Sequence, residues 1–319
     1  MTIKTVFGGA SLNPNAEISS PEKLEEALKV FKKAGVNNID TARLYQGSEE
    51  MIGKAAGHED FIIDSKILGG FSPGTTKKEL LIADTQDSLD KCKIPQFDIL
   101  YIHAPDAEVP FEEMVEAVNE VHKKGLIKRF GLSNFSAEEV QRVYDIAKAN
   151  GYLLPSVYQG NYSPVARKAE TLLFPTLRKL GFVFYAYSPL AGGFLTKTKE
   201  QIEQGAGRFN DTAVGGMYNR LYNRPSYVEA LAVWNEVAEK EGVSKGELAY
   251  RWVGYNSALK EELGDAVIFG ASKFAQVEQT AEWLKKGPLS EEAARGIERV
   301  WASVEKEAPL DNWEVAGKK

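Results

Sequence analysis

Reactive and metal-binding side chains are scarce in this sequence. Its 319 residues include a single cysteine, Cys92, and three histidines. One cysteine excludes an internal disulfide and a zinc site built from cysteines, and the scattered histidines exclude a pair of metal ligands on one helix. Chemistry in this chain must therefore come from few titratable groups, or from a molecule that the protein binds.

Excess positive charge and long apolar runs are also missing, and no leader segment is expected. Lys and Arg number 39 against 45 Asp and Glu, a net charge of −6, which disfavours nucleic acid as a partner because nucleic acid selects basic faces. No stretch reaches the roughly 18 apolar residues of a spanning helix, and the first residues do not resemble a secretory signal. We therefore expect no membrane partner and a cytoplasmic protein whose Lys-rich end, AGKK, is a solvated tail.

Strand and helix patterns alternate along the chain. Short apolar segments predict eight strands, at 3–9, 36–40, 61–67, 97–103, 126–133, 156–160, 182–188 and 265–270. The first helix has Ser20 as N-cap, Pro21 at its first position and Gly35 at its end. Other helices are predicted at 48–56, 76–91, 111–121, 140–147, 168–180, 226–241, 244–257, 273–285 and, ending the chain, 290–306. A long polar, Gly-rich loop is predicted over 191–225.

This alternation predicts the fold class. Strands that are apolar on both faces and followed by helices indicate parallel strands with helical crossovers. Eight such units predict an α/β fold, a single (β/α)8 TIM barrel domain over 1–319. Extra C-terminal helices and a long loop after strand seven are expected in addition. The rival doubly wound sheet lacks its GxGxxG fingerprint, and the Walker loop and the GxSxG elbow are missing too.

Four polar residues stand where a barrel collects its reactive groups, at and beyond the carboxyl ends of strands. They are Asp40, Tyr45, Lys66 and His103. Each alone has a structural explanation: a turn cap, a rim tyrosine, a structural ion pair and a core histidine. Because all four fall on one face of the predicted barrel, we expect a shared catalytic site.

The grouping has a chemical logic. Tyrosine is a poor acid at neutral pH because its pKa is about 10, and a nearby ammonium lowers that pKa. Asp40 would hold Lys66 beside Tyr45, and His103 would donate a hydrogen bond to a carbonyl oxygen of the substrate. Such a site protonates a developing alkoxide but supplies no electrons, so a hydride donor must bind beside it.

The same motifs resemble a known family. IDTARLYQGSEEMIG at 39–53, DILYIHAPD at 98–106, GLSNF at 131–135, YQGNYSP at 158–164 and YSPLAGGFLT at 187–196 are similar to aldo-keto reductases. The details HAPD, LLPSVYQGNY and FYAYSPLAGG most resemble the aflatoxin-aldehyde reductase branch, whose members also reduce succinic semialdehyde. The resemblance implies an NADPH-dependent reductase of aldehydes and ketones, with Tyr45 as proton donor and with Tyr45 and His103 facing the substrate. Because relatives in this branch form dimers, it also implies a homodimer.

The resemblance assigns the cofactor site residue by residue. Ser133, Asn134 and Gln159 would hold the nicotinamide carboxamide, and Tyr187 would stack on its ring. The other implied cofactor contacts are Asp40, Ser188, Leu190, Ala191, Gly192, Leu195, Arg208, Ser272, Lys273, Gln276, Gln279 and Thr280.

The segment GASKFAQVEQT at 270–280, here called the adenosine segment, resembles the part of the family that binds the adenosine phosphate, and two of its residues depart from the family pattern. Many relatives have Asn at the position of Thr280 and Arg at the position of Gln276. Lys273 would then supply the positive charge toward the 2′-phosphate as a point cation. Without the other motifs, this segment is an ordinary helix start with Ser272 as its cap.

The substrate remains open at this point. The loop at 206–227 has the length and aromatic content of a mobile lid, and its Arg220 and Arg224 could bind a substrate carboxylate or form a solvated basic rim. The tail DNWEVAGKK lacks the aromatic-Arg ending of mammalian relatives, which weakens the succinic semialdehyde assignment. A different function for the same fold is a slow or non-catalytic cofactor-binding subunit of the potassium-channel type, whereas a barrel hydrolase would need a carboxylate pair or a metal cluster.

Overall fold

Eight parallel strands close into a barrel in sequence order. The computed structural model of the protein describes residues 3–13 and 16–316. The strands are β1 (Lys4–Gly8), β2 (Asn38–Asp40), β3 (Ile62–Ile67), β4 (Phe97–Ile102), β5 (Ile127–Ser133), β6 (Pro155–Asn161), β7 (Val183–Tyr187) and β8 (Ala266–Phe269). All eight predicted strands are therefore present, and the expected (β/α)8 barrel is confirmed.

The first and last strands complete the ring. β1 pairs with β2 on one side and with β8 on the other, in parallel, with Lys4 opposite Ala266 and Phe7 opposite Phe269. Because every strand runs the same way, all the carboxyl ends meet at one rim of the barrel. This rim carries the candidate site.

Helices follow the strands and cover the outside of the barrel. They are α1 (Pro21–Ala34), α2 (Ser48–Lys54), α3 (Lys78–Cys92), α4 (Phe111–Lys123), α5 (Ala137–Ala149), α6 (Ala169–Leu172), α7 (Phe174–Leu180), α8 (Lys199–Glu203), α9 (Met217–Tyr222), α10 (Pro225–Glu241), α11 (Lys245–Arg251), α12 (Phe274–Lys285), α13 (Glu291–Val304) and α14 (Trp313–Ala316). The predicted ends of α1 are confirmed: Ser20 accepts a bond from the Lys23 amide, and Gly35 has a left-handed φ of 79°.

The strands are covered on both faces. Outside, helix side chains pack on the sheet, as where the ring centroids of Phe31 on α1 and Phe7 on β1 lie 4.3 Å apart. Inside, alternate strand residues fill the lumen with a small apolar cluster. Its buried members are Val6, Ile99, Tyr101, Val157, Tyr185, Ala266 and Ile268.

Three predicted elements need correction. The helix predicted at 168–180 is two helices, α6 and α7, because Pro175 has no N–H to continue the first and sits in the first turn of the second. The loop predicted over 191–225 contains α8 and α9 and several 3-10 turns. The helix predicted at 244–257 changes from α to π geometry at Trp252.

The chain does not end on the helix predicted at 290–306. After α13, the backbone returns to the rim of the barrel and forms the short helix α14. Tail residues 317–319 lie outside the described part of the chain. Within 3–13 and 16–316, no helix combines the length and the apolar character needed to cross a bilayer.

Candidate active site at the barrel rim

A buried ion pair lies at the carboxyl end of β2 and β3. Lys66 Nζ donates to Asp40 Oδ2 over 2.6 Å and to the Thr41 carbonyl over 2.7 Å. Gln159 Nε2 donates to the other oxygen of Asp40 over 2.8 Å. The Lys66 side chain is fully buried and that of Asp40 is 3% exposed. Burying two charges is tolerated here because each one has a partner and further hydrogen bonds.

Tyr45 and His103 lie next to this pair. Lys66 Nζ is 5.2 Å from the Tyr45 ring centroid, and the Tyr45 and His103 rings are 6.0 Å apart in an edge-to-face arrangement. Tyr45 is half-buried and His103 is buried, and both line one cavity together with Asp40. Three of the four predicted catalytic residues therefore line the cavity, and Lys66 lies directly behind them.

The loop that carries Tyr45 is fixed from below. Arg43 Nη1 donates to Asp87 Oδ2 over 2.7 Å, and Nη2 donates to Asp84 Oδ1 over 2.9 Å, both on α3. The Tyr45 amide also closes a turn on the Ala42 carbonyl. These bonds tie the loop to the helix layer and hold the tyrosine at the rim.

Burial is the largest single influence on the pKa values of Tyr45, Lys66 and His103. Burial raises the pKa of Tyr45 above its usual value, although the Lys66 ammonium opposes the shift. Burial lowers the pKa of Lys66, but Asp40 and Tyr45 outweigh it, so the net pKa is raised. Burial and Lys66 together hold the pKa of His103 well below its usual range. At neutral pH the site thus contains a tyrosine with its proton, an ammonium and a neutral imidazole. The expected lowering of the tyrosine pKa by the ammonium is present, but burial exceeds it.

The cavity extends from this site across the rim of the barrel. Its volume is about 1200 Å³, larger than the 300–1,000 Å³ of an ordinary small-molecule pocket. Its lining includes residues at the carboxyl ends of most strands and in the loop after β8. Besides Asp40, Tyr45 and His103, the predicted residues in its lining are Ser133, Asn134, Gln159, Tyr187, Ser188, Leu190, Gly192, Arg208, Arg220, Ser272, Gln276, Gln279 and Thr280.

A hydrogen-bonded chain of side chains forms the floor beside His103. Tyr187 Oη donates to Asn134 Oδ1 over 3.1 Å, and Asn134 Nδ2 donates to the His103 carbonyl over 2.7 Å. Asn134 and Ser188 both have left-handed backbone conformations, with φ of 61° and 57°. Backbone strain of this kind in non-glycine residues collects at functional sites.

The segment after β7 brings the backbone close to an aromatic ring. Gly192 has φ of 68°, and a Cβ there would lie 2.1 Å from Tyr218 Cδ1. Tyr218 in turn accepts a 3.0 Å hydrogen bond from Arg208 Nη1, and the guanidinium of Arg208 lies over its ring at 5.4 Å. Gly192 therefore makes room for the tyrosine that places Arg208 on the cavity.

Four predicted ligands lie outside the lining. Ala191 and Leu195 are fully buried beneath the segment, and the Leu195 carbonyl accepts a bond from Trp234. Lys273 is exposed beyond the rim. Arg224 donates to the backbone carbonyls of Arg220 and Glu307, so its guanidinium is engaged away from the cavity.

The adenosine segment is held by local bonds. Gln276 Oε1 accepts from the amides of Ser272 and Lys273, over 2.8 and 3.1 Å, and so closes the start of α12. The N-cap is Lys273, whereas the alternative explanation of this segment placed Ser272 there. Thr280 is buried in the lining, which Tyr250 also borders.

Sequence reasoning missed the C-terminal contribution to the cavity. Trp313 packs edge-on against Phe71, with centroids 4.7 Å apart, and Phe71 packs on His103 at 4.8 Å. The amide of Asn312 donates to Tyr187 Oη over 3.2 Å. No sequence pattern predicts this contribution, because nothing in the spacing of the aromatic residues beyond position 300 points to the rim.

Comparison with known proteins adds three findings. The model of the Aldo/keto reductase family matches residues 4–302. An oxidoreductase named sirO from Leptosphaeria maculans is 37% identical over 291 residues, 90% of this chain and 88% of that protein. The human aflatoxin B1 aldehyde reductase member 4 is 35% identical, and the human aldo-keto reductase family 7 member A3 is 34% identical, each over 96% of both chains. These matches confirm the resemblance that the motifs indicated.

Proposed function

Because the chain belongs to the aldo/keto reductase family, and is thus an oxidoreductase acting on carbonyl compounds, we propose that it reduces aldehydes and ketones with NADPH, using Tyr45 as the proton donor. The observation that carries this proposal is the position of the buried Asp40–Lys66 pair against Tyr45 and His103 at the mouth of one large cavity.

Tyr45 suits the proton-donating role. Its raised pKa keeps the hydroxyl protonated at neutral pH, and the Lys66 ammonium behind the ring stabilises the phenolate that remains after transfer. Asp40 keeps Lys66 charged and in place. Lys66 and Asp40 therefore act on the proton through Tyr45.

His103 suits the orienting role. A neutral imidazole with a depressed pKa can donate a hydrogen bond to the substrate oxygen without giving up its proton. Its Nδ1 atom is buried without a hydrogen-bond partner among the described residues, and the Asn134 bond to its carbonyl fixes the backbone behind the ring. The carbonyl oxygen of the substrate would then lie between His103 and Tyr45.

The lining fits a nicotinamide dinucleotide. Amide and hydroxyl side chains lie beside His103, where Ser133, Asn134 and Gln159 would hold the carboxamide and Tyr187 would stack on the ring. Farther along, Arg208 and Lys197 supply cations for phosphates. When bound, NADPH supplies a hydride to the carbonyl carbon. Ser188, Leu190 and Gly192 would follow the pyrophosphate, and Ser272, Gln276, Gln279 and Thr280 would border the adenosine.

The substrate end of the cavity is aromatic and apolar. Phe71, Leu44 and Met217 line it together with the two catalytic rings, which favours aromatic aldehydes over small acids. The exposed Arg220 also lines the cavity, although its Nη1 already donates to the Gly215 carbonyl. Since Arg224 faces away, Arg220 is the candidate for binding a substrate carboxylate.

The experiment that tests the function compares two tyrosine variants. Tyr45→Phe should reduce kcat with NADPH and an activated aromatic aldehyde by at least about 100-fold, with the Kd for NADPH unchanged. Tyr227→Phe is the control, because it also removes a phenol hydroxyl, one that donates to the Val165 carbonyl outside the cavity lining. A Tyr45→Phe enzyme at the wild-type rate would exclude the mechanism, and wild-type protein that fails to turn over any carbonyl would exclude the function.

The alternative of a regulatory cofactor-binding subunit is not favoured. The relatives named above are called oxidoreductases or reductases. Multiple turnovers per bound cofactor separate the two functions directly. The NADPH preference is tested by repeating the assay with NADH.

We also propose that 1–319 is one domain, that the protein is a homodimer and that it is cytoplasmic. The family match over 4–302 and the closed barrel support the first proposal. Light scattering on the purified protein tests the second, and cell fractionation tests the third.

A further inference from the structure

The lumen of this barrel is polar beneath the active site. Barrel interiors are ordinarily filled by branched apolar side chains, and the apolar cluster is present here only in part. Alternation along the strands turns the same face inward at every second residue. The polar residues that share this inward register below the rim are Lys4, Asn38, Asp64, Tyr101, Arg129 and Tyr185.

Asp64 occupies the centre of this polar layer. It is fully buried and lies two residues before Lys66 on β3, in register with Asp40 on the neighbouring β2. Because every second residue of a strand faces inward, the Asp64 carboxyl group points into the lumen one inward position below Lys66 on the same strand. Nothing in the proposed mechanism uses this acid.

The partners of Asp64 differ from those of the carboxylates above and below it. Asp40 pairs with Lys66, and Asp98 pairs with Arg129 at 2.5 Å. Asp64 instead accepts from Asn38 Nδ2 over 2.8 Å and from the Ile99 amide over 3.1 Å.

Asn38 connects Asp64 to a cation at one remove. The other end of its amide group accepts a 2.7 Å bond from Lys4 Nζ. The neutral donors, Asn38 and the Ile99 amide, favour the anionic form of Asp64, but less strongly than a direct ammonium partner would. Asp64 is therefore held in place by hydrogen bonds without a charged hydrogen-bond partner of its own.

We propose that Asp64 is a positioning residue of the active site, whose charge sets the proton affinity of the Lys66–Tyr45 pair from below. The inference rests on the proposed function of Tyr45. An anionic Asp64 favours the protonated ammonium of Lys66 and opposes a second negative charge above it, on Tyr45. A neutral Asp64 leaves the charge of Lys66 less compensated, so that Tyr45 gives up its proton more readily.

The surroundings of Asp64 let both charge states occur near neutral pH. Burial, Asp40 and Asp98 raise the pKa of Asp64, Lys4 and Arg129 oppose them, and the net result is a pKa of about 7. Lys66 and Tyr101 also interact with Asp64. The titratable and charged groups that face it from the surrounding strands are Lys4 of β1, Asp40 of β2, Lys66 of β3, Asp98 and Tyr101 of β4 and Arg129 of β5.

The test is the pH profile of kcat for carbonyl reduction in matched variants. The wild-type rate should rise by about three- to tenfold as the pH falls through about 7. Asp64→Asn should lack this inflection and keep the high rate throughout. Lys4→Met removes a cation that lowers the pKa of Asp64 and should move the inflection to higher pH, whereas Asp98→Asn removes an anion and should move it to lower pH.

A second readout does not depend on activity. The native state raises the pKa of Asp64 from 3.8 to about 7, so its contribution to stability is complete below about pH 4 and is lost as the pH rises through about 7. The free energy of unfolding of Asp64→Asn should therefore improve relative to wild type over that range.

The two readouts separate the possible failures. Titration of Asp64 in the stability data without an inflection in kcat would overturn the inference and leave the proposed function standing. Inflections that do not move in Lys4→Met and Asp98→Asn would also overturn it, even if Asp64→Asn folds poorly. If Tyr45→Phe keeps the wild-type rate, the proposed role of Tyr45 fails, and if the wild-type protein turns over no carbonyl compound, the proposed function itself fails.

Discussion

The Nζ atom of Lys66 lies 2.6 Å from Oδ2 of Asp40, in a position that solvent hardly reaches. The two residues are far apart in the sequence, and they meet because β2 and β3 are neighbours that end at the same rim. Every feature of the proposed chemistry is arranged around this contact: the tyrosine beside it, the histidine beyond the tyrosine, and the acid in the layer below.

The first prediction concerns this pair. Lys66→Met should lower kcat by at least about 100-fold and destabilise the fold by about 3–5 kcal/mol, because it leaves the Asp40 carboxylate buried without its cation. Adding Asp40→Asn to the same protein should restore much of the stability but none of the activity. Kinetics and denaturant unfolding of both variants check this. Equal losses of stability in the single and double variants would contradict it.

The second prediction concerns Gly192, in the segment after β7. Gly192→Ala should weaken NADPH binding by about tenfold or more, because the new Cβ would collide with the Tyr218 ring that positions Arg208. Quenching of tryptophan fluorescence during an NADPH titration measures the effect.

Gly193→Ala is the matched control for that variant. Its φ of 97° is also left-handed, but nothing lies within 4 Å of its added Cβ. Both variants share the backbone strain, so the difference in Kd between them isolates the displacement of Tyr218. If both bind NADPH equally well, the segment does not border the cofactor.

The third prediction concerns the C-terminal segment. Trp313→Ala removes the side chain that packs on Phe71, and should raise KM for a bulky aromatic aldehyde by about tenfold while leaving the Kd for NADPH unchanged. Trp301→Ala on α13 is the control, because that indole packs over Arg167 away from the cavity. Similar changes in KM for the two variants would show that Trp313 acts only on stability.

The fourth prediction concerns the pH dependence of stability. Burial raises the pKa of Asp311 from 3.8 to about 6, with Glu314 and Glu139 adding to the shift and backbone amides opposing it. A raised carboxyl pKa stabilises the fold fully below about pH 4, and this contribution, up to about 3 kcal/mol, is lost as the pH rises through about 6.

Asp311→Asn tests this linkage while keeping an oxygen to accept the bond from the Glu314 amide. Unfolding at pH 4.5 and at pH 7.5 should show the variant gaining stability relative to wild type at the higher pH. A constant difference between the two proteins would mean that Asp311 does not titrate in this range.

Most of the fold and of the site was predicted from the strand pattern and from the rule that the carboxyl ends of barrel strands meet at one rim. Parallel strands that are buried on both faces appear in the sequence as continuous apolar runs, without alternating polar residues. Eight such runs were sufficient to predict the barrel. The rule that strand ends meet at one rim then brought Asp40, Lys66 and His103 together without any contact information. The proximity of Tyr45 followed from its short distance beyond β2.

Other structural features had signals in the sequence that the hydrophobicity pattern alone did not reveal. The T-x-x-Q spacing at Thr198 and Gln201 is a capping box that marks α8 inside the supposed loop. Lys4, Asn38 and Asp64 recur at inward positions of their strands, and this periodicity would have indicated the polar lumen. The return of Trp313 to the rim had no local signal, because it depends on tertiary packing alone.

The pairing of β1 with β8 also has a consequence for how the protein forms. Lys4 meets Ala266 only after most of the chain has been synthesised, and contacts of such long sequence separation slow folding because the loop must close first. Until then, the emerging chain has two open sheet edges that can pair with other chains. Lys4, which donates to Asn38, is synthesised with the first strand and meets its tyrosine partner, Tyr185, only when the ring is assembled. We therefore expect barrel closure to be the slow step of folding, and the competent enzyme to emerge at that step.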